Sequence, residues 1–341
     1  LVVVAHPGAC EADGVQQLSA TTQQVLQLAA CLGSQFNLET LALISQQPVS
    51  VIEGALAEAV EAELLLRTPE TYKFTHDRIE QAVYSQITEA DRPVRHWQIG
   101  QRLLTDLPPE QLGERIFEVV NQLNRGQSVI ERPSIWWLKL AQLNLRAGQR
   151  ALTTAAHASA FDYLQHGLNL LRLGRSNSWR SDYALTLQLH LAAAEVAYVI
   201  GRFAEMERLT GLAVQHAQSA ADRLAAFQIR VQALIAQNDL LEAIQYARPI
   251  LKRQGINLTA RPNQIDAALA LAKTKLLLRR YRPADLIHLP EMTDPHHRAV
   301  VQFLNNCILA AYFAVPELLP SIIYYQLRLT VKYGASNISA S

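Results

Sequence analysis

Apolar residues recur at helical spacing along most of this chain, and the places where that spacing fails divide it into elements. Val25, Leu28, Ala29 and Leu32 fall on one face before Gly33, the pattern of an amphipathic helix that stops at a glycine. Leu38, Leu41, Ala42 and Ile44 predict a second short helix ended by Pro48, and Val49, Ile52, Leu56, Val60 and Leu64 predict a third. Tyr72-Lys73-Phe74 follows the turn Thr68-Pro69-Glu70 and alternates as a strand does. Helices are expected next over 77–87 and 94–104, the second broken by Leu107-Pro108-Pro109. Residues 1–18 carry little periodicity and read as a linker or remnant.

From Arg115 onward nearly everything is amphipathic helix, so a repeat period is worth testing. Ala160-Phe161-Asp162-Tyr163-Leu164, Met206-Glu207-Arg208-Leu209 and Glu242-Ala243-Ile244-Gln245-Tyr246 align, with equivalent positions at 160, 206 and 243. The second interval is close to the roughly 34-residue tetratricopeptide period, and the first fits if 173–181, rich in Gly, Ser and Asn, is an inserted loop. Gly201-Arg202-Phe203 and Asn238-Asp239-Leu240 stand where such a repeat turns between its helices. The consensus prolines and the first-helix Trp are missing, so the repeats are degenerate. A helical hairpin cannot cover its own apolar face, which is the physical reason for stacking in series. Further helices are expected over 265–280, 299–315 and 318–332, with the turn-rich Leu289-Pro290-Glu291-Met292-Thr293-Asp294-Pro295 redirecting the stack.

The expected fold is therefore mainly all-α. Its parts are a winged-helix-like domain at 19–108, tetratricopeptide-like repeats at 109–260 forming a superhelix, and continuing helical repeats at 261–341. The order of three short helices and then a strand is what suggests the winged helix.

Charge changes this picture in one respect. The balance over 341 residues is +1, which gives no general attraction to nucleic acid or an anionic membrane. No Lys or Arg precedes Arg67, however, while Glu53, Glu58, Glu61 and Glu63 lie on the third helix. In a winged helix that element would enter the DNA groove, and phosphate contacts need Lys or Arg. DNA readout by this segment is therefore not expected. Arg92, Arg95, His96 and Arg102 form a basic stripe expected to pair with the acidic segment before it.

Cys10, Cys31 and Cys307 show neither metal-ligand spacing nor a disulfide framework, which suits a reduced, cytoplasmic setting. No apolar run approaches the roughly 18 residues needed to span a bilayer, and Leu1-Val2-Val3-Val4-Ala5 has no basic region before it. The missing initiator Met and the open pattern at Ser341 suggest part of a larger polypeptide.

No P-loop, HExxH, GxSxG, kinase HRD or DFG, or glycine-rich dinucleotide turn occurs, so no catalytic set and no bound cofactor are expected in this stretch. The most informative residues are Phe74-Thr75-His76-Asp77-Arg78, where a histidine-acid pair opens a helix. In one reading His76 bonds a neighbouring carbonyl and Asp77 is the N-cap. In the other, the imidazole N–H reaches a diphosphate held by a neighbouring ATPase domain. His296-His297 lacks a third metal ligand nearby and reads as a solvated helix start. Trp136-Trp137 and Tyr324-Tyr325 read as packing residues, and Arg279-Arg280-Tyr281-Arg282 as a helix C-terminus.

From about residue 15 to the C-terminus the chain resembles a known family. The matching stretches include Thr21-Thr22-Gln23-Gln24-Val25-Leu26-Gln27-Leu28-Ala29-Ala30-Cys31-Leu32 and Phe74-Thr75-His76-Asp77-Arg78-Ile79-Glu80-Gln81-Ala82-Val83-Tyr84-Ser85. Arg95-His96-Trp97-Gln98-Ile99-Gly100, Ala141-Gln142-Leu143-Asn144-Leu145-Arg146-Ala147-Gly148 and Lys332-Tyr333-Gly334-Ala335-Ser336 agree as well. The family is the large multi-domain serine/threonine and histidine sensor kinases, common in cyanobacteria, that carry a switch-type (STAND) AAA ATPase. The resemblance implies a non-catalytic regulatory segment that follows the ATPase, with ADP or ATP bound by the parent and proteins or other domains of the same polypeptide as partners. It also matches His76-Asp77 to the MHD motif of related ATPases, where the histidine contacts the diphosphate, with Thr75 in place of the methionine. An alternative from another class is the effector-binding part of a STAND-type transcription activator.

Overall fold

The computed structural model describes residues 14–131, 134–174, 177–282 and 289–336. The described part is mainly helical and forms two compact units, Leu1–Ala147 and Gly148–Ser341.

In the first unit, α1 (Ala20–Leu32) starts at Ser19, whose hydroxyl accepts the Thr22 N–H, and stops at Gly33 with φ 123°. Strand β1 (Gln35–Phe36) is followed by α2 (Leu38–Ser45), capped by the Asn37 side chain on the Thr40 N–H at 2.7 Å, and α3 (Val49–Glu61). Leu64 was expected to extend α3. Instead Glu63 takes a left-handed φ of 60° and the Leu64 N–H closes back onto the Ala59 carbonyl, which ends the helix while keeping Leu64 buried.

Strands β2 (Leu65–Arg67) and β3 (Tyr72–Phe74) pair antiparallel, and β3 also pairs with β1, so the sheet runs β1-β3-β2. Alternation along β3 buries Tyr72 and Phe74 and exposes Lys73. The rings of both pack on Phe36, at 6.1 and 5.8 Å. The expected strand is thus the middle of a sheet whose two outer strands are too short to leave a periodic trace.

Helix α4 (Asp77–Ser85) lies on α1, and α5 (Asp91–Asp106) runs to Leu107. After α6 (Pro109–Glu114), α7 (Ile116–Arg125) packs closely along α5. Gly100 permits this: a Cβ there would sit 2.7 Å from Leu123 Cγ. Val15, within the segment expected to be linker, is fully buried, while residues 1–13 lie outside the described part.

The second unit takes in the later turns of α8 (Trp136–Thr153) and is built of hairpins. Helices α9 (His157–Gly174), α11 (Tyr183–Val199), α12 (Phe203–His216), α13 (Ala220–Ala236) and α14 (Leu240–Arg253) follow, with the one-turn α10 (Ser178–Ser181) between α9 and α11. Three turns share one geometry. Ala155, Gly201 and Asn238 each have a left-handed φ (56°, 75° and 65°). The next N–H in each case bonds a carbonyl five residues back: Ala156 to Ala151, Arg202 to Ala197, Asp239 to Leu234. The aligned positions 160, 206 and 243 are correspondingly buried in the second helix of each hairpin.

The 173–181 segment is not simply an inserted loop. Helix α9 runs to Gly174 and α10 begins at Ser178; residues 175–176 lie outside the described part. Beyond α14 the packing leaves sequence order. Helix α16 (Pro295–Ala314), not α15 (Gln264–Leu278), rests on α13 and α14, with Phe303, Leu304 and Cys307 in their shared core. Helix α15 packs instead on α17 (Leu319–Tyr333) and buries only Ala270. The connector 290–292 is extended and pairs with Ala335: Met292 donates to the Ala335 carbonyl, and Ala335 to that of Pro290.

Candidate functional site

Position 76 is defined by the centre of the small sheet. The Phe74 N–H donates to the Ser34 carbonyl at 3.0 Å, and the Thr75 N–H to the Leu64 carbonyl at 3.1 Å. The Thr75 hydroxyl reaches the carbonyls of Glu63 and Leu64 at 2.9 and 3.1 Å. A short hydroxyl on Cβ can reach these carbonyls, and the sequence pattern carries no sign of that role. The chain is thereby tied on both sides before it turns into α4.

His76 itself, not Asp77, is the N-cap of α4; the earlier N-cap reading of Asp77 is corrected. His76 has extended backbone angles, its carbonyl accepts the Ile79 N–H at 3.0 Å, and its imidazole makes no capping bond. Asp77 is the first helical residue, beside Glu80 in the same turn. Both His76 and Asp77 are exposed, and neither side chain has a hydrogen bond or ion pair among the described residues. Buried Ile79 and Val83 anchor the helix behind them. Partial burial, with Asp77 alongside, raises the Glu80 carboxyl above its ordinary value. The arrangement presents an imidazole at a helix N-terminus, where partial positive charge favours an anion, although the Asp77 carboxylate opposes it.

A second polar constellation lies inside the unit. The Tyr84 hydroxyl meets His96 Nε2 at 2.8 Å, His96 Nδ1 meets Gln122 Oε1 at 2.6 Å, and Gln122 Nε2 donates to the Cys31 carbonyl at 2.7 Å. Because an amide oxygen only accepts, Nδ1 carries the proton, and Tyr84 donates to Nε2. This chain joins α4, α5, α7 and α1, and every group in it is satisfied. Burial holds the His96 pKa below the ordinary imidazole value.

His96 is therefore not part of a basic stripe. Nor do its neighbours pair with the acidic segment: Arg92 Nε donates to the Ile87 carbonyl and its guanidinium lies over the Tyr84 ring, while Arg102 donates to the Ile44 carbonyl. Among the acids of α3, Glu58 accepts from the Ser19 N–H at 2.7 Å and from the Ser19 and Thr22 hydroxyls. These bonds, that from Thr22 foremost, lower its pKa. Glu53, Glu61 and Glu63 are exposed.

The remaining sequence candidates have structural partners. Trp136 meets Trp97 edge-on at 4.9 Å, and Tyr324 meets Tyr325 at 5.3 Å. His297 pairs with Asp294 and stacks on Tyr333, and Arg279 ends α15. Burial pushes the Cys31 thiol up to about 11 and that of Cys307 to about 12, while Cys10 lies outside the described residues. Among the described residues no cluster of three or more His, Cys, Asp or Glu is placed to hold a metal ion, and no helix is long and apolar enough to cross a membrane.

No family model matches the chain. It is 25% identical over 304 residues to the hybrid signal transduction histidine kinase G of Dictyostelium discoideum, a match that takes in 72% of this chain. The chain spans 9% of that protein's length. Among solved structures, a crystal structure of a Signal Transduction ATPase with Numerous Domains (STAND) protein with a tetratricopeptide repeat sensor, from Pyrococcus horikoshii, is similar at 10% identity. That likeness covers 96% of this chain and 51% of the other at a TM-score of 0.32, too low to bear on the fold.

Proposed function

We propose that this chain is a non-catalytic regulatory and protein-interaction segment of a signal-transduction protein, coupling the nucleotide state of an ATPase domain elsewhere in the polypeptide to partner or kinase domains. The observation that carries this reading is His76. The sheet and α4 fix the backbone at this position, and the imidazole is exposed and without a hydrogen-bond partner among the described residues, as a contact made by another domain requires. The partial identity to a signal-transduction histidine kinase supports the signalling role.

On this reading 19–108 is a winged-helix domain. Its support is the order α1-β1-α2-α3-β2-β3 and the β1-β3-β2 sheet. The later hairpins form a tetratricopeptide-like superhelix, supported by the shared turns at Ala155, Gly201 and Asn238. The working environment is cytoplasmic, the partners are proteins or other domains of the same chain, and ADP or ATP belongs to the ATPase. The exposed acids of α3 weigh against nucleic acid as a partner and against the transcription-activator alternative.

Nucleotide exchange would free His76 and let the helical region reorient, a two-state device. Removing one charge-assisted hydrogen bond costs about 1.5–3 kcal/mol, so His76→Ala in the polypeptide carrying the ATPase is expected to speed ADP release by about tenfold or more. Unchanged ADP retention would end the sensor reading.

A further inference from the structure

The second unit contains an open cavity of about 630 Å³ lined by α9, α10, α11 and α12, within the roughly 300–1,000 Å³ range of small-molecule sites. The one-turn α10 exists in effect to place Trp179 in its wall. That indole stacks on His216 at 4.8 Å and 14°, and lies 4.6 Å from His190.

The polar groups of the wall are set in distinct states. Arg208 is bidentate to Glu205, at 2.6 and 2.8 Å, and Gln165 also donates to Glu205 at 3.0 Å. The charge of Arg208 is thus cancelled and its position fixed. Arg172 lines the same cavity and has no hydrogen bond or ion pair among the described residues. His190 Nδ1 is 2.7 Å from the Thr186 carbonyl, so Nδ1 carries the proton and Nε2 is left as an acceptor. Burial favours the neutral ring. Among the described residues the cavity therefore offers one guanidinium without an ion pair, the His190 Nε2 acceptor, the His216 imidazole stacked on Trp179, and the exposed side-chain amide of Asn169, which makes no hydrogen bond there.

We propose that this cavity binds a small polyhydroxy monocarboxylate, its carboxylate on Arg172 and a hydroxyl donating to His190 Nε2. A single negative charge balances the one guanidinium that has no ion pair among the described residues, and guanidinium geometry suits a carboxylate. A fully apolar ligand would strand these polar groups, and a polyanion would lack counter-charge. This goes beyond the regulatory reading and is independent of His76: the cavity gives the helical unit a chemical input of its own.

The test is calorimetry and tryptophan fluorescence on this chain with D-gluconate, D-glucuronate and D-galacturonate, against sorbitol and acetate as partial analogues. At least one of the three acids is expected to bind saturably, at least tenfold tighter than sorbitol, which lacks the carboxylate, and than acetate, which lacks the hydroxyls. Arg172→Gln, at an exposed position, is expected to weaken that binding at least tenfold, about 1.4 kcal/mol. Trp179→Phe should abolish the ligand-dependent fluorescence change while leaving binding heat. No saturable binding by any of the three acids at millimolar concentration overturns the proposal. So does equal binding of sorbitol, or binding untouched by Arg172→Gln. ADP retention would be unaffected by any of these results, so the two readings fail separately.

Discussion

Burial lowers the pKa of three imidazoles, those of His96, His166 and His190, below the ordinary value of 6.5. The unfolded chain then binds more protons than the folded one once pH falls below that value, so stability drops on the acid side and is level above it. Denaturant unfolding at pH 8, 6.5 and 5.5 should show progressive loss below pH 6.5; a flat profile would refute the buried-neutral assignment. His96→Ala is expected to cost about 1–3 kcal/mol even at pH 8, because Tyr84 and Gln122 lose their shared partner. In sequence, His96 sits among arginines and looks cationic. Only its distant partner Gln122, itself held by the Cys31 carbonyl, reveals a neutral, inward-facing ring. Thr75 teaches the same lesson, since its two carbonyl partners, Glu63 and Leu64, are supplied by the turn that follows α3.

At the scale of elements, helix packing and turn geometry set what each glycine does. Gly100→Ala would drive a Cβ to 2.7 Å from Leu123 Cγ and 2.9 Å from its backbone nitrogen, and should destabilise by about 1–3 kcal/mol. Gly211 lies within α12 with no atom near its would-be Cβ, so Gly211→Ala should stabilise by about 0.5–1 kcal/mol. Thermal melts of the two variants moving in the same direction would contradict the packing described. The hairpin turns make a matched pair. Ala155 and Gly201 share a left-handed backbone, which costs a residue with a Cβ about 1–2 kcal/mol. Ala155→Gly is expected to raise the melting temperature and Gly201→Ala to lower it. The turn at Gly201 was legible because glycine announces a left-handed residue. That at Ala155 was not, since alanine gives no such signal.

For the molecule as a whole, charge is nearly balanced but unevenly spread, with no Lys or Arg before Arg67 and an exposed acidic surface on α3. Duplex DNA should therefore not be retarded by micromolar protein at about 0.15 M salt, where exposed charges more than about 8 Å apart are largely screened. Retardation that weakens steeply with added salt would show a phosphate-binding surface elsewhere and reopen the activator alternative. The same scale shows where sequence order misleads. Helix α15 precedes α16 in the chain, yet α16 takes the place on α13 and α14. Helix α15 remains peripheral, with Ile265 71% exposed and Leu276 61% exposed.

Sequence alone determined the helical course of the chain, the equivalent positions 160, 206 and 243, the turns at Gly201 and Asn238, and the central strand at Tyr72-Lys73-Phe74. These are local or periodic properties, written into side-chain spacing and backbone preference. It also singled out His76 and Asp77. Tertiary structure decided which of them caps α4, which histidines are neutral, and which helix follows α14 in the stack. It also brought Arg172, Trp179 and His190 around one cavity. Each of these depends on groups far apart in the chain, and a contact between distant residues leaves no periodicity to read.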